Sequence, residues 1–178
     1  QEHKGPVVVL EHRLLYELDF DDDKNKLTHP LFGSKKETEG SDITIVATSV
    51  MVLEAKRASA HLAKNGIYAE VINLHSISHP DKEMIIESVK KTGKLLVADT
   101  SWPEYGVCSE INRIINEHDP SILKGPSRSL GMENTPCPTA KALEDMYYPD
   151  VHGIVKSASE MVIGKNHQID LPKKESMT

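Results

Sequence analysis

The stretch "SDITIVATSVMVLEAKRASAHLAKNGIYAEVINL", residues 41–74, decides the fold. It begins with an apolar, β-branched run at 43–48, which is typical of a buried strand. Apolar residues then recur at helical spacing up to Asn65 and Gly66, a pair that favours a helix end. A second apolar run at 68–74 predicts another strand. Because both strands are apolar and a helix joins them, the stretch predicts a βαβ unit with parallel strands. The apolar residues at helical spacing are Met51, Ala55, Ala58 and Leu62.

The same alternation continues downstream. Pro80 and Asp81 favour the start of a helix, and Gly93 favours its end. The runs at 95–99 and 127–132 predict a third and a fourth strand. Further helices are predicted from Val107 to near Asp119, briefly from "TPCPTAKALE" at 135–144, and after Pro149 and Asp150; a separate strand is predicted at 6–10.

Strands that alternate with helices predict an α/β fold. We expect a three-layer α/β/α sandwich around a mostly parallel sheet of about five strands. In such sheets, ligands and partners bind at the carboxyl ends of the strands. The loops at 48–51, 74–81, 99–106 and 131–139 should therefore share one edge.

Composition excludes several classes of function. The 178 residues are 38% hydrophobic and carry a net charge of −6 with no basic stripe, which argues against nucleic-acid binding. No apolar run approaches the ~18 residues that span a bilayer, so no membrane association is expected. The two cysteines, Cys108 and Cys137, do not make a disulfide framework. We expect a cytoplasmic location or an organellar lumen.

Nucleotide and nucleophile chemistry are poorly supported. The turn after the first strand, "ATSVMV" at 47–52, lacks the glycines of a dinucleotide fingerprint, and the chain has no Walker A loop. Thr48 and Ser49 are instead expected to cap the following helix. Cys108 could be a nucleophile at a helix N-terminus, but no motif ties a histidine base to it. Its alternative role is packing beside Val107 and Ile111.

Metal and acid–base sites are also weakly indicated. His75 and His79 would suit a metal only if both lay on one helix, and Pro80 makes them more typical of a loop. The acidic run Asp21–Asp23 could bind a metal or be a solvated loop. Asp99 and Glu110 flank the loop at 99–106; they either cap the loop and favour the helix dipole or contact a partner. We assign no catalytic, cofactor-binding or metal-binding residue.

The loop "DTSWPEYG", 99–106, carries the only Trp of the chain. A lone Trp at the carboxyl edge of the strands is costly to expose, so we predict an interface there. The alternative is a Trp in a local core. The interface residues predicted are Trp102, Tyr105, Gly106 and Glu110, with Pro136 and Pro138 from the neighbouring loop.

Residues 40–111 and 132–158 together resemble the C-terminal domain of the β subunit of 2-oxo acid dehydrogenase E1 components. This domain is shared with transketolase and deoxyxylulose phosphate synthase. "GPVVVLEHRLLYE", 5–17, resembles the last strand of the preceding pyrimidine-binding domain, and "HPLFGSKKETEGSD", 29–42, resembles the linker. The resemblance divides the chain into a last strand (1–18), a linker (19–41), the transketolase C-terminal-like domain (42–163) and a polar tail (164–178) expected to fray.

The resemblance implies a thiamine diphosphate- and Mg²⁺-dependent enzyme. Such an enzyme decarboxylates a 2-oxo acid and passes the acyl group to a lipoyl group on an E2 partner. The partners implied are an E1 α subunit or domain, a second β subunit and the lipoyl-bearing E2. The glutamate that activates the cofactor belongs to the pyrimidine-binding domain, so we expect this chain to be a fragment that is inactive alone. The alternatives are a transketolase or deoxyxylulose phosphate synthase C-terminal domain, or a stand-alone interaction module.

Overall fold

A computed structural model describes residues 4–17, 32–166 and 169–172. The strands are β1 (Lys35–Thr38), β2 (Ile43–Ala47), β3 (Ala69–Asn73), β4 (Leu95–Ala98) and β5 (Arg128–Leu130). The helices are α1 (Val50–Lys64), α2 (Lys82–Thr92), α3 (Val107–His118), α4 (Lys141–Tyr147) and α5 (Val151–Ile163), with 3-10 turns at Arg13–Glu17 and Pro120–Ile122.

The five strands form one mixed sheet in the order β1-β3-β2-β4-β5. Strands β3, β2, β4 and β5 run parallel, and β1 is an antiparallel edge strand beside β3. This confirms the predicted sheet of about five mostly parallel strands. The four parallel strands, whose carboxyl ends carry the loops of interest, lie next to each other in the sheet, with β5 at one edge.

The buried side chains divide into two layers because successive strand residues point to opposite faces. On one face, Ile43 and Ile45 pack with α1 and α5. On the other face, Val46 and Val97 pack with α2 and α3. Helices therefore cover both faces, as predicted for a three-layer sandwich, and each fully buried aliphatic side chain contributes about 1.5–3 kcal/mol.

The predicted strand at 6–10 is wrong. Residues 6–10 form no strand, and Val8 and Val9 are 83% and 71% exposed. A strand needs a neighbour to accept its backbone hydrogen bonds, and the sheet formed by the described residues ends at β1 and β5. A β-branched run without a partner therefore forms no strand here.

Strand β1 was not predicted and lies within the segment interpreted as a linker. Its sequence, Lys-Lys-Glu-Thr, lacks the alternation of a half-buried strand. It pairs with β3, and a charged contact joins it to α1, since the Glu37 carboxylate lies 3.5 Å from the Lys56 ammonium. The Asp21–Asp23 run lies outside the described residues.

Local signals at the helix ends were mostly correct. Asp81 accepts a hydrogen bond from the Met84 amide (2.9 Å), and Asp150 accepts one from the Gly153 amide (2.8 Å). Gly93 ends α2 in the left-handed region, at φ 71°. The predicted cap at Thr48 and Ser49 is wrong, because Ser49 makes no side-chain cap bond and Thr48 bonds elsewhere.

The predicted brief helix begins later than expected, at Lys141 rather than within 135–140. The tail is not frayed over 169–172, where Ile169 and Leu171 pack against the α1 and α5 layer. Across 4–17, 32–166 and 169–172, no helix has the length and apolar character needed to cross a membrane.

Candidate interface at the carboxyl edge of the sheet

Asp99 joins three strand ends at this edge. It follows β4 and is only 7% exposed. Its carboxylate accepts hydrogen bonds from the Thr48 hydroxyl, just after β2, and from the Ser101 hydroxyl. Its amide donates to the Leu130 carbonyl in β5 at 3.0 Å. The predicted convergence of the loops after β2, β4 and β5 is therefore confirmed.

The loop at 99–106 is braced on two further sides by close backbone contacts. The Ser101 carbonyl accepts a hydrogen bond from the Met132 amide at 3.0 Å. A Cβ atom added at Gly131 would lie 2.4 Å from that carbonyl oxygen, and one at Gly106 would lie 2.6 Å from the Trp102 carbonyl oxygen. Only glycine allows such approaches. On the α3 side, the Ser109 hydroxyl donates to the Pro103 carbonyl at 2.7 Å.

The loop presents two aromatic side chains to solvent. Trp102 is 47% exposed and Tyr105 is fully exposed, and Tyr105 adopts φ 60°. A non-glycine residue in the left-handed region costs about 1–3 kcal/mol and persists where the surroundings enforce it. Because Trp102 is about half exposed, the alternative that it belongs to a local core is wrong. The interface itself remains a prediction.

Glu110 forms a surface ion pair rather than an acid–base couple. Its carboxylate oxygens accept hydrogen bonds from Arg113 Nε (2.7 Å) and Nη2 (2.6 Å), which lower the pKa of Glu110. Asp99 bonds to Thr48 and Ser101 instead. The two carboxylates therefore have separate partners, and Glu110 stands in the first turn of α3 as expected.

Cys108 is a packing residue. It is fully buried under the loop, with its sulfur 3.9 Å from the carbonyl oxygens of Val97 and Leu130. Burial, together with the nearby charge of Asp99, raises the pKa of the thiol to about 11. A thiol with such a pKa stays protonated at neutral pH, so the nucleophile hypothesis is wrong.

In the described part of the chain, no hydrogen bond joins the two predicted proline residues to the loop at 99–106. Gly131 and Met132 contact the loop at 99–106, but Pro136 and Pro138 come later in the connection between β5 and α4. The carbonyl of Thr135 accepts a hydrogen bond from Tyr147 of α4 at 3.0 Å. Pro136 is exposed and Pro138 is half-buried.

His75 and His79 lie in the loop after β3, as the loop interpretation predicted. The His75 amide donates to Asn73 Oδ1 at 3.0 Å, and the centroid of the His79 ring lies 4.4 Å from that of Phe32, with the ring planes tilted by 44°. Over the part of the chain that the structure describes, no three His, Cys, Asp or Glu side chains come together to hold a metal ion.

Sequence reasoning missed how Asp99 is held. Thr48 was interpreted as a cap, and Ser101 and Gly131 were not singled out. The sequence did contain a signal. Asp99 ends one predicted strand, and residues with hydroxyl groups, Ser101 and Thr48, follow that strand and the adjacent one. Three non-glycine residues with positive φ, Ser49, His75 and Tyr105, lie in the loops after β2, β3 and β4. Backbone strain of this kind is concentrated at functional edges.

Comparison with known proteins gives the family. The model of the transketolase C-terminal domain matches residues 33–154. The chain is 38% identical to the mitochondrial pyruvate dehydrogenase E1 component subunit beta of Dictyostelium discoideum, over 88% of this chain and 45% of that protein. It is 39% identical to the mitochondrial subunit beta-1 of Arabidopsis thaliana, over 86% and 43%. It is 32% identical to the acetoin:2,6-dichlorophenolindophenol oxidoreductase subunit beta of Cupriavidus necator, over 91% and 48%.

The chain spans less than half the length of these relatives. A solved structure described as a split gene transketolase, inactive beta4 tetramer, shares the fold, with a TM-score of 0.65 and 24% identity over 74% of this chain and 43% of that one. The matched region contains the whole sheet, the helices α1 to α4 and the first turn of α5. The chain belongs to the transketolase C-terminal domain family.

Proposed function

We propose that this chain is the C-terminal assembly domain of a thiamine diphosphate-dependent 2-oxo acid dehydrogenase E1 β-like subunit. The relatives that are E1 β subunits support the enzyme class. The observation that carries the assembly role is the braced loop at 99–106, which holds Trp102 and Tyr105 in solvent. Rigid aromatic side chains lose little entropy on docking and are enriched among the residues that dominate binding energy.

The described residues do not fit a thiamine diphosphate site by themselves. The carboxylate at the edge, Asp99, is already engaged by two hydroxyls. No cluster of three metal-binding side chains for Mg²⁺ occurs in the described ranges. We therefore propose that the cofactor is held outside the described residues, and we place no catalytic step on them.

The proposed partners are an E1 α subunit or domain, a second β subunit and a lipoyl-bearing E2, in the cytoplasm. For a docking role, the physical requirement is an exposed, well-ordered apolar anchor with a polar rim. Trp102 and Tyr105 supply the anchor. Glu110, fixed by Arg113, supplies a charged group in the first turn of the adjoining helix.

The experiment compares W102A/Y105A with the matched control Y68A. Tyr68 is 55% exposed and precedes β3, at the opposite edge of the sheet. We measure the mass of the chain by sedimentation, alone and with E1 α. The expected result is at least a tenfold weaker association for W102A/Y105A and an unchanged association for Y68A. Equal association of all three proteins would refute the interface.

A separate assay addresses activity. The chain alone is incubated with thiamine diphosphate and Mg²⁺ and with pyruvate, branched 2-oxo acids or acetoin. We expect no turnover. Turnover by the isolated chain would contradict its proposed role as an assembly domain without catalytic residues.

A further inference from the structure

The segment after α5 returns along that helix. Helix α5 ends at Ile163, but the Pro172 carbonyl oxygen lies 3.3 Å from Nδ1 of His152 in the first turn of the same helix. The distance along the axis from Ile163 back to His152 is about 16 Å at 1.5 Å per residue. Pro172 therefore lies back at the start of α5, although it follows the end of that helix in the sequence.

The same segment also crosses α1. The Asp170 carbonyl oxygen lies 2.6 Å from Nε2 of His61, in the last turn of α1. Ile169 and Leu171 are partly buried against the apolar layer formed by α1, α5 and the sheet. We name residues 169–172 the strap, and the surface of α1 and α5 beneath it the α1–α5 groove.

The contacts of the strap follow a period of two. Apolar side chains at 169 and 171 pack on the groove, while the carbonyl oxygens at 170 and 172 accept hydrogen bonds from two imidazoles. In an extended chain, alternate residues share a side. Main-chain hydrogen bonds combined with pockets for alternate side chains are how proteins recognise extended peptides.

We propose that the α1–α5 groove is a binding site for an extended peptide and that the strap is its occupant in cis. The site recognises two apolar residues two positions apart and the carbonyl groups that follow each of them. The strap adds no strand to the sheet and has few polar contacts, so it detaches without unfolding the domain. This inference is independent of the Trp102 loop and of the proposed enzyme class.

The test uses the full chain and a labelled peptide that corresponds to residues 167–174. I169D/L171D places carboxylates against the apolar layer and empties the groove. We expect this variant to bind the peptide at least ten times more tightly than the unaltered chain does, because a tethered strap competes at about millimolar effective concentration. D170N is the matched control, since Asp170 engages the groove through its carbonyl group; it should bind the peptide as weakly as the unaltered chain.

A second set of variants tests the imidazoles. In the I169D/L171D background, H61A/H152A should weaken peptide binding severalfold, and H79A should not. If folded I169D/L171D, checked by circular dichroism, does not bind the peptide, the proposal fails. It also fails if H61A/H152A and H79A bind alike.

A titration of the unaltered chain with the peptide gives a result that does not depend on the folding of any variant. Excess peptide should displace the strap and shift the NMR signals of the amides of residues 169–171, while the signals of the central strands stay unchanged. If a saturating excess of peptide leaves the strap signals unchanged, the strap is an integral part of the fold and the proposal is wrong.

Discussion

At the scale of single residues, one buried carboxylate organises the proposed interface. Asp99 ties the ends of β2 and β4 through two hydroxyl donors, and its amide ties β4 to β5. The sequence showed an acid at a strand end but not its partners, because Thr48 is 51 residues away along the chain. A contact between strands far apart in sequence has no local signal.

Asp99→Asn tests this arrangement. The amide oxygen of Asn replaces one carboxylate oxygen, but its NH2 group donates and cannot accept. One hydroxyl therefore loses its bond to a carboxylate and must turn to accept from the amide nitrogen, and both charge-assisted bonds become neutral ones. We expect a loss of about 1–3 kcal/mol in the free energy of unfolding and a red-shifted emission of Trp102. Urea unfolding followed by fluorescence measures both. E110Q is the control, since its exposed pair with Arg113 should contribute below about 1 kcal/mol; equal effects of the two substitutions would contradict the role of Asp99.

Cys108 and Cys137 differ in exposure, and this predicts different reactivity. Cys108 is buried and Cys137 is exposed. Because burial first, and Asp99 second, raise the pKa of Cys108 to about 11, its thiol stays protonated below that pH. At pH 7.5, a thiol reagent should modify one cysteine rapidly and the second only in denaturant. Rapid modification of Cys108 in folded C137S would be inconsistent with this packing.

At the scale of elements, a charged contact helps to hold the edge strand β1, whereas the central strands are held by apolar packing. Glu70 of β3 is 1% exposed and bonds to Lys91 of α2, while the Lys36 ammonium of β1 lies 3.5 Å from the same oxygen. One buried carboxylate therefore connects an edge strand, a neighbouring strand and a helix. Apolar periodicity could not predict β1, because its position depends on this contact.

Glu70→Gln tests the charge contact through its pH dependence. Burial alone would raise the pKa of Glu70, but the hydrogen bond from Lys91 and further contacts outweigh it and lower the pKa to about 2. The stabilisation is therefore present above about pH 4.5 and is lost as the pH falls towards 2. Between these limits, the free energy of unfolding of the unaltered chain should fall by on the order of 1–2 kcal/mol, and that of E70Q should not show this fall. E87Q, at an exposed pair with Lys90, should behave like the unaltered chain in acid unfolding curves.

At the scale of the whole molecule, the central strands, α1, α2, α3 and α5 were predictable because apolar periodicity and helix-end signals agree there. The misses share a different physical origin. The run at 6–10 needs a partner strand that the sheet does not supply, and β1 is fixed by ion pairs. The strap is held through backbone carbonyl groups, which every residue possesses. The loop at 99–106 could be singled out because the only Trp of the chain lies in it. The contacts that brace this loop could not be predicted, and its role as an interface stays a prediction.

The fold also makes a prediction about where the chemistry lies. The carboxyl edge, where an α/β sheet usually binds its ligand, carries here the loop at 99–106, which packs closely on the backbone of Gly131. We therefore expect 1 mM thiamine diphosphate with Mg²⁺ to leave the melting temperature of the isolated chain unchanged. A site with a Kd of about 10 µM would instead add about 2.7 kcal/mol to the free energy of unfolding. For a chain of this size, that raises the melting temperature by about 5–10 °C. Thermal unfolding by circular dichroism distinguishes the two, with Mg²⁺-pyrophosphate as the control for nonspecific anion binding. A rise with the cofactor but not with pyrophosphate would show that this chain holds a cofactor site of its own.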